Sequence, residues 1–219
     1  MLHVFVESNW VVDVLAPAHN KAPAALDLLR RAQAGEIQLH LPEICLVEAR
    51  RPIHQDFQPR RSADLVRKFL AWGQASHLVK AEQATAARVC LDQLESAVAN
   101  DLRSVDQELL RLAGLHGIET FPMNQRMLAR STELSFEGLN LTPYDQAILA
   151  SVLIRAETLF RAGEQDLAFC ELDNDLQPWY KDRHKERKDK LADLYDRASI
   201  WVYGDYLLET PPKPANWHK

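Results

Sequence analysis

Acidic residues follow apolar or capping segments at several separate points of the chain, in positions that could do chemistry together. Glu7 ends the apolar run of residues 4–6, and Asp173 follows a later apolar run. Glu48 and Asp145 each lie in the first or second turn of a predicted helix. Because a parallel sheet brings the carboxyl ends of its strands to one rim, these four side chains are candidates for one shared site.

The chemistry of such a site follows from its charge. Clustered carboxylates repel one another, so the group is costly unless a divalent cation neutralises it. Carboxylate oxygens are hard ligands that suit Mg²⁺ or Mn²⁺. These cations activate water and stabilise charge on phosphoryl oxygens. The residue types therefore predict a metal-dependent site able to hydrolyse phosphodiester bonds.

The two helix carboxylates also have structural interpretations that need no cation. Asp145 is the third residue of a helix that begins with Thr142 as its N-cap, so it can complete a capping box. Glu48 can form an ion pair with Arg50 or Arg51 on its own helix. Neither interpretation excludes metal binding, and both stay open at this point.

The strand-end carboxylates have similar alternatives. Glu7 can reach water or accept backbone N–H groups from the helix that follows it. Asp173 and Asp175 can be turn residues, since Asp side chains often hydrogen-bond the backbone two residues on. It is the joint occurrence of the four acidic positions that favours a functional site over four separate structural roles.

Alternating strands and helices would position these residues. Residues 4–6 read as a strand buried on both faces, and Ser8 or Asn9 can cap the helix that follows to Leu15. A helix over 24–34 and a strand over 37–41 complete a βαβ unit, so the two strands are predicted to be parallel. Pro42 then opens a helix over 43–51 that is predicted to break at Pro52.

The second half of the chain continues this alternation after two amphipathic helices. Leucines and valines recur every three or four residues between Ala87 and Leu112, which predicts a long helix. With a shorter helix over 62–73 it is predicted to form an antiparallel helical insertion, about 60–115. Weaker patterns predict strands over 118–122, 167–172 and 200–203, helices over 124–134 and from Pro143, and a charged helix over 181–194.

Composition limits the class of protein. The chain has 219 residues, of which 47% are hydrophobic and 26% charged, with a formal net charge of −5. We expect one domain over 1–209 and a Pro-rich, disordered tail over 210–219. The three scattered cysteines and the lack of a basic, apolar leader or membrane-spanning run predict a cytoplasmic protein.

Four segments together resemble a known family. They are residues 4–11, 41–48, 141–150 and 169–175, which carry the four acidic positions in order. In this order and on these elements they resemble the PIN-domain nucleases, over roughly residues 3–205. The resemblance implies a three-layer α/β/α fold whose five parallel strands have the order 3-2-1-4-5.

The resemblance also implies roles for individual residues. The catalytic and metal-ligating positions of the family fall on Glu7, Glu48, Asp145 and Asp173, with Asp175 as a further ligand for one or two Mg²⁺ or Mn²⁺ ions. Ser8 matches a small hydroxyl residue that can hydrogen-bond a ligand. Two positions depart from the family pattern: Glu7 replaces the usual Asp, and Glu171 stands where Thr or Ser is usual. Glu171 could assist a second metal.

The implied activity is that of an endoribonuclease, toxin-like or RNA-processing, acting on single-stranded RNA. Basic residues in the segments that follow Glu48 and Asp173 could bind the nucleic-acid backbone. They are Arg50, Arg51, Lys181, Arg183 and Lys185. An antitoxin or other protein partner and a homodimer are further expectations. The alternative is a non-catalytic PIN-like module that binds RNA or a protein through its long helices.

Overall fold

The computed structural model describes residues 1–58, 60–180 and 186–208, with the backbone alone for residues 60–62. Five strands form one parallel sheet in the order β3-β2-β1-β4-β5. The strands are β1 Leu2–Phe5, β2 Ile37–Pro42, β3 Ile118–Phe121, β4 Leu167–Cys170 and β5 Ile200–Tyr203. The predicted fold class and strand order are thereby confirmed.

Eight helices in the described ranges connect these strands. They are α1 Ser8–Leu15, α2 Pro23–Gln33, α3 Glu43–Asp56, α4 Arg60–Ala75, α5 Ala81–Ala113, α6 Gln125–Phe136, α7 Pro143–Arg161 and α8 Asp189–Arg197. By the general rule that crossovers between parallel strands are right-handed, this strand order assigns the helices between β1 and β3 to one face and those between β3 and β5 to the other. Within the described ranges, no helix combines the length and apolar composition needed to cross a lipid bilayer.

The central strand β1 is buried because it lies between two neighbours and two layers of helices. Val4 and Phe5 have no exposed surface, and neither do Leu39 of β2 and Phe169 of β4. Continuous apolar runs of this kind are typical of parallel strands covered on both faces. The sheet core therefore holds the end of β1, where Glu7 follows, in a rigid position.

Two helix ends differ from the sequence predictions. Glu7 itself is the N-cap of α1, because its carboxylate reaches the backbone N–H of Asn9; neither Ser8 nor Asn9 takes that role. The predicted break at Pro52 is wrong, since α3 continues through it to Asp56. Ile53 is fully buried directly after the proline, and this core contact offsets the backbone hydrogen bond that proline cannot donate.

The two amphipathic helices α4 and α5 form the predicted antiparallel pair. Arg67 of α4 binds Glu95 of α5, and nearer the connecting loop Gln74 binds Arg88. The sequence separation between bonded residues falls from 28 to 14 toward the loop, as it must in an antiparallel helical hairpin. The C-terminal half of α5 packs into the core of the sheet domain, whereas its N-terminal half contacts α4 and leaves Leu94 exposed.

The charged segment before β5 is only partly helical. Helix α8 begins at Asp189 and residues 186–188 before it are not helical, so the predicted helix over 181–194 is wrong for those three residues. Residues 186–188 are instead tied to residues 178–180, since Tyr180 N–H donates to Glu186 and Lys188 N–H donates to Pro178. Residues 181–185 and the predicted tail beyond 209 lie outside the described residues.

Replacement of Gly117 by alanine is expected to lower the free energy of unfolding by about 2 kcal/mol or more. Gly117 precedes β3 with φ of +83°, and a Cβ there would lie 2.2 Å from the carbonyl oxygen of Ala32. Gly163→Ala is the matched control, because its φ is +98° but no atom lies within 4 Å of the added carbon. Thermal unfolding of both variants separates the loss of stability caused by the clash from the loss caused by the positive φ. Equal losses of stability in the two variants would contradict the predicted clash.

Candidate metal and catalytic site

The register of β1 and β4 brings two carboxylates side by side. Phe5 pairs with Phe169 in this parallel ladder. Continuing the register by two residues places Glu7 beside Glu171. Both side chains are buried, with 3% of Glu7 and none of Glu171 exposed. The point where the strand order reverses, between β1 and β4, thus carries two buried acids.

Glu7 has one oxygen engaged and one without a partner. Its Oε2 accepts the backbone N–H of Asn9 at 2.7 Å, so the predicted capping role is real. Its Oε1 is buried and has no hydrogen-bond partner. Burial, together with the charges of Asp173 and Glu48, raises the pKa of Glu7 to about 8. A buried carboxylate oxygen without a donor is unfavourable unless a proton or a cation satisfies it.

Glu171 has the same unsatisfied arrangement. One oxygen accepts the backbone N–H of Asp173, and Oε2 is buried without a partner. Burial raises the pKa of Glu171 well above its usual range, and the charges of Glu7, Asp173 and Asp145 add to the rise. The sequence predicts only a supporting role for Glu171, but this side chain is more deeply buried than every other carboxylate of the group.

Glu48 is held by the hydroxyl of Ser8, which donates a hydrogen bond to its Oε2. This contact is the one expected of a hydroxyl that orients a metal ligand. The alternative ion pairs are not formed, since Arg50 binds Asp106 and Arg51 binds Gln55. Burial raises the pKa of Glu48, with additional contributions from neighbouring carboxylates of the group.

Asp145 completes the predicted capping box at the start of α7. Its Oδ2 accepts hydrogen bonds from Thr142 N–H at 3.1 Å and from the Thr142 hydroxyl at 2.6 Å. Burial is the main reason that the pKa of Asp145 is raised, and the charges of Asp173 and Asp175 raise it further. The capping role and a place in the acidic group therefore occur in the same side chain.

Asp173 and Asp175 lie in a tight turn directly after β4. Asp173 Oδ1 accepts the backbone N–H of Asp175 at 2.8 Å, and its carbonyl accepts the N–H of Gln177 at 3.0 Å. The turn interpretation is thereby correct for Asp173. The turn also holds its carboxylate close enough to Glu7, Glu48 and Asp145 for its charge to raise the pKa of each.

The six carboxylates therefore form one electrostatically coupled group: Glu7, Glu48, Asp145, Glu171, Asp173 and Asp175. Each carboxylate accepts a hydrogen bond from a nearby residue or interacts electrostatically with another carboxylate of the group. None forms an ion pair with a described Lys, Arg or His side chain. Among the described residues, no three His, Cys, Asp or Glu side chains are arranged as a ready metal-binding group. The donor set has the chemistry for a hard cation, and the two unsatisfied buried oxygens fit that use.

The basic residues predicted to bind nucleic acid have different surroundings. Arg50 is committed to Asp106 of α5 through two hydrogen bonds of 2.6 and 2.8 Å. Arg51 is exposed and donates to Gln55. The other three predicted residues lie outside the described part of the chain: Lys181, Arg183 and Lys185.

Lys188 is a neighbour of the acidic group that the sequence did not single out. Its charge interacts with those of Asp175 and Asp173, which raise its pKa against the larger lowering effect of burial. In sequence it is one of several lysines in a mixed-charge run, and only the folded loop after β4 distinguishes it from the others. No local signal would have found it.

No protein-family model and no curated protein sequence matches this chain. The resemblance to PIN-domain nucleases stays a prediction from the four acidic segments. The function proposed below depends on the residues of the coupled group and on their surroundings in the fold.

Proposed function

We propose that this chain is a divalent-cation-dependent nuclease that hydrolyses phosphodiester bonds of RNA. The observation that carries the proposal is the pair of buried carboxylates at the ends of β1 and β4. Glu7 Oε1 and Glu171 Oε2 are both buried without a hydrogen-bond partner. Six coupled carboxylates around this point, none in an ion pair with a described Lys, Arg or His, are costly as a purely structural feature.

The position of the group supports the same proposal. Ligands of open parallel sheets bind beyond the carboxyl ends of the strands, where the strand order reverses. In this sheet that reversal lies between β1 and β4, whose ends lead into Glu7 and Glu171. Asp145 and Glu48 reach the same rim from the starts of α7 and α3.

Mg²⁺ or Mn²⁺ would be held by Glu7, Glu48, Asp145 and Asp173, with Asp175 and Glu171 beside them. When bound, the cation would supply Lewis-acid polarisation of a phosphoryl oxygen and activation of water. The protein's own contribution is to position these acids. The Ser8 hydroxyl orients one carboxylate, and the capping box at Thr142 orients another.

The alternative of a non-catalytic module has one supporting observation of its own. The side chains of Leu65, Phe69 and Trp72 on α4 are each more than half exposed, at a spacing that places them along one stripe of the helix. Exposed apolar stripes are typical of surfaces that bind another protein. A protein partner, an antitoxin and a homodimer all stay predictions.

Labelled single-stranded RNA incubated with the protein tests the proposed activity. We expect cleavage with Mn²⁺ or Mg²⁺, no cleavage with EDTA, and loss of cleavage in Asp145→Asn. Asp56→Asn is the matched control, because this exposed side chain lies at the far end of α3. Asparagine retains a side-chain oxygen that can accept from Thr142, so the variant should fold. Intact RNA under all conditions, together with no heat of Mn²⁺ binding, would overturn the nuclease proposal.

A further inference from the structure

A cleft of about 420 Å³ adjoins the acidic group on the side of the turn after β4. Its volume lies in the range of small-ligand clefts, about 300–1,000 Å³. The cleft is here called the Tyr180–Lys188 cleft, and its lining residues include Asn140, Asp175, Tyr180, Lys188, Asp189 and Lys190. Because Asp175 belongs to both, a ligand in the cleft would extend directly to the carboxylates.

The backbone holds the two defining side chains next to each other. Tyr180 N–H donates to the carbonyl of Glu186, and Lys188 N–H donates to that of Pro178, both at 2.8 Å. Trp179, the residue between Pro178 and Tyr180, is buried, with 6% of its surface exposed. The pairing therefore fixes Tyr180 and Lys188 at one wall of the cleft.

Lys188 brings a positive charge beside the negative group. Its Nζ lies 5.4 Å from the centre of the Tyr180 ring and donates to the carbonyl of Asn174. Its charge interacts with those of Asp175 and Asp173, yet it forms no ion pair with a described carboxylate. An ammonium group has three N–H donors, so Lys188 can donate a further hydrogen bond to an anionic ligand.

The chemistry of these walls identifies the ligand class. A polyanionic strand that approaches six carboxylates needs a cation close to the point of contact, and Lys188 provides one. Tyr180 is 43% exposed, and an aromatic ring at the wall of a cleft is a surface on which a base can stack. In a duplex the bases are already stacked, so only an unpaired base can use the ring.

We infer that the Tyr180–Lys188 cleft binds an unpaired nucleotide of the RNA strand next to the bond that is cut. Lys188 contacts the phosphate, and Tyr180 packs against the base. This inference rests on the proposed nuclease function and adds a nucleotide-binding cleft with two binding residues to it.

The test is equilibrium binding of fluorescein-labelled oligouridylate, followed by anisotropy in the full chain carrying Asp145→Asn so that the strand stays intact. Tyr180→Leu is expected to weaken binding about tenfold without changing its salt dependence. Lys188→Gln is expected to weaken binding about tenfold and to lower the slope of log affinity against log salt by about 0.7. Tyr180→Phe and Lys188→Arg should restore most of the affinity, which shows that these sites tolerate substitution.

Matched controls are available elsewhere on the surface. Lys68→Gln on α4 changes an exposed lysine, and Phe160→Leu on α7 changes an exposed aromatic residue. Neither substitution should alter the affinity by more than about twofold. Unchanged binding in both cleft variants, or no binding by the parent chain, would overturn the cleft assignment. Cleavage is measured separately with Asp145 restored: strand binding through the cleft without cleavage would remove the nuclease function and leave the cleft as a binding site.

Discussion

Substitution of Glu7 by glutamine is expected to lower the rate of RNA cleavage about 1,000-fold. Glu7 ends the central strand and has a buried oxygen without a partner, so we expect it to be a main ligand of the proposed cation. Loss of one charged ligand removes several kcal/mol of charge stabilisation, and about 4 kcal/mol corresponds to three orders of magnitude in rate. Single-turnover cleavage with Mn²⁺ measures the loss.

The same substitution is expected to stabilise the cation-free fold at alkaline pH. The pKa of Glu7 in the folded chain is about 8, above the ordinary value of 4.5. A raised carboxyl pKa stabilises the fold fully below the ordinary value, and this contribution is lost as the pH rises through 8. Glutamine stays neutral and can still accept from Asn9, so Glu7→Gln should be more stable by on the order of 3 kcal/mol at pH 9.

Thermal unfolding in EDTA from pH 5 to pH 9 checks this second effect. The exposed Glu36 provides the matched control, and Glu36→Gln should change neither cleavage nor the pH dependence of stability. A variant that loses both activity and alkaline stability would indicate that Glu7 acts chiefly as a helix cap. Loss of activity with a gain in stability is the behaviour of a functional site that weakens the fold.

Binding of Mn²⁺ is expected to strengthen about tenfold for each pH unit between pH 6 and 8. At pH 7 a carboxyl with a pKa of about 8 holds its proton most of the time, and Glu171 has its pKa raised as well. Carboxylates must be deprotonated to bind a cation, so binding has to release those protons. About one proton, that of Glu7, should be released for each cation bound at pH 7.

Calorimetry in two buffers with different ionisation enthalpies counts the released protons. Glu7→Gln should reduce the count, whereas Glu36→Gln should leave it unchanged. Cation binding with no proton release at pH 7 would mean that the buried acid Glu7 is not a ligand. The affinity measurement and the cleavage measurement are independent, so a bound cation without activity would also be recognised.

Much of the fold follows from local sequence patterns. The apolar runs identify all five strands, and the spacing of leucines and valines between Ala87 and Leu112 identifies the long helix α5. Thr142, Pro143 and Asp145 mark the start of α7 correctly, because helix caps are formed by residues close in sequence. Such features need no knowledge of distant parts of the chain.

Predictions were wrong where distant contacts compete with a local preference. Pro52 has the local properties of a helix breaker, but the buried Ile53 beside it keeps the last turn of α3 in the core. The charged run before β5 has the composition of a helix, but pairing with residues 178–180 makes residues 186–188 extended. Tertiary packing outweighs propensity in both cases, since propensities differ by only about 1 kcal/mol per residue.

The sequence by itself determined which acids end strands and which begin helices, because those positions depend on neighbours within a few residues. Only the tertiary structure decided that Glu171 lies beside Glu7, since this follows from the register of two strands more than 160 residues apart. It also decided that Lys188 and Tyr180 share a cleft with Asp175. A shared site is a property of distances between segments, and those distances are set by packing of the whole sheet.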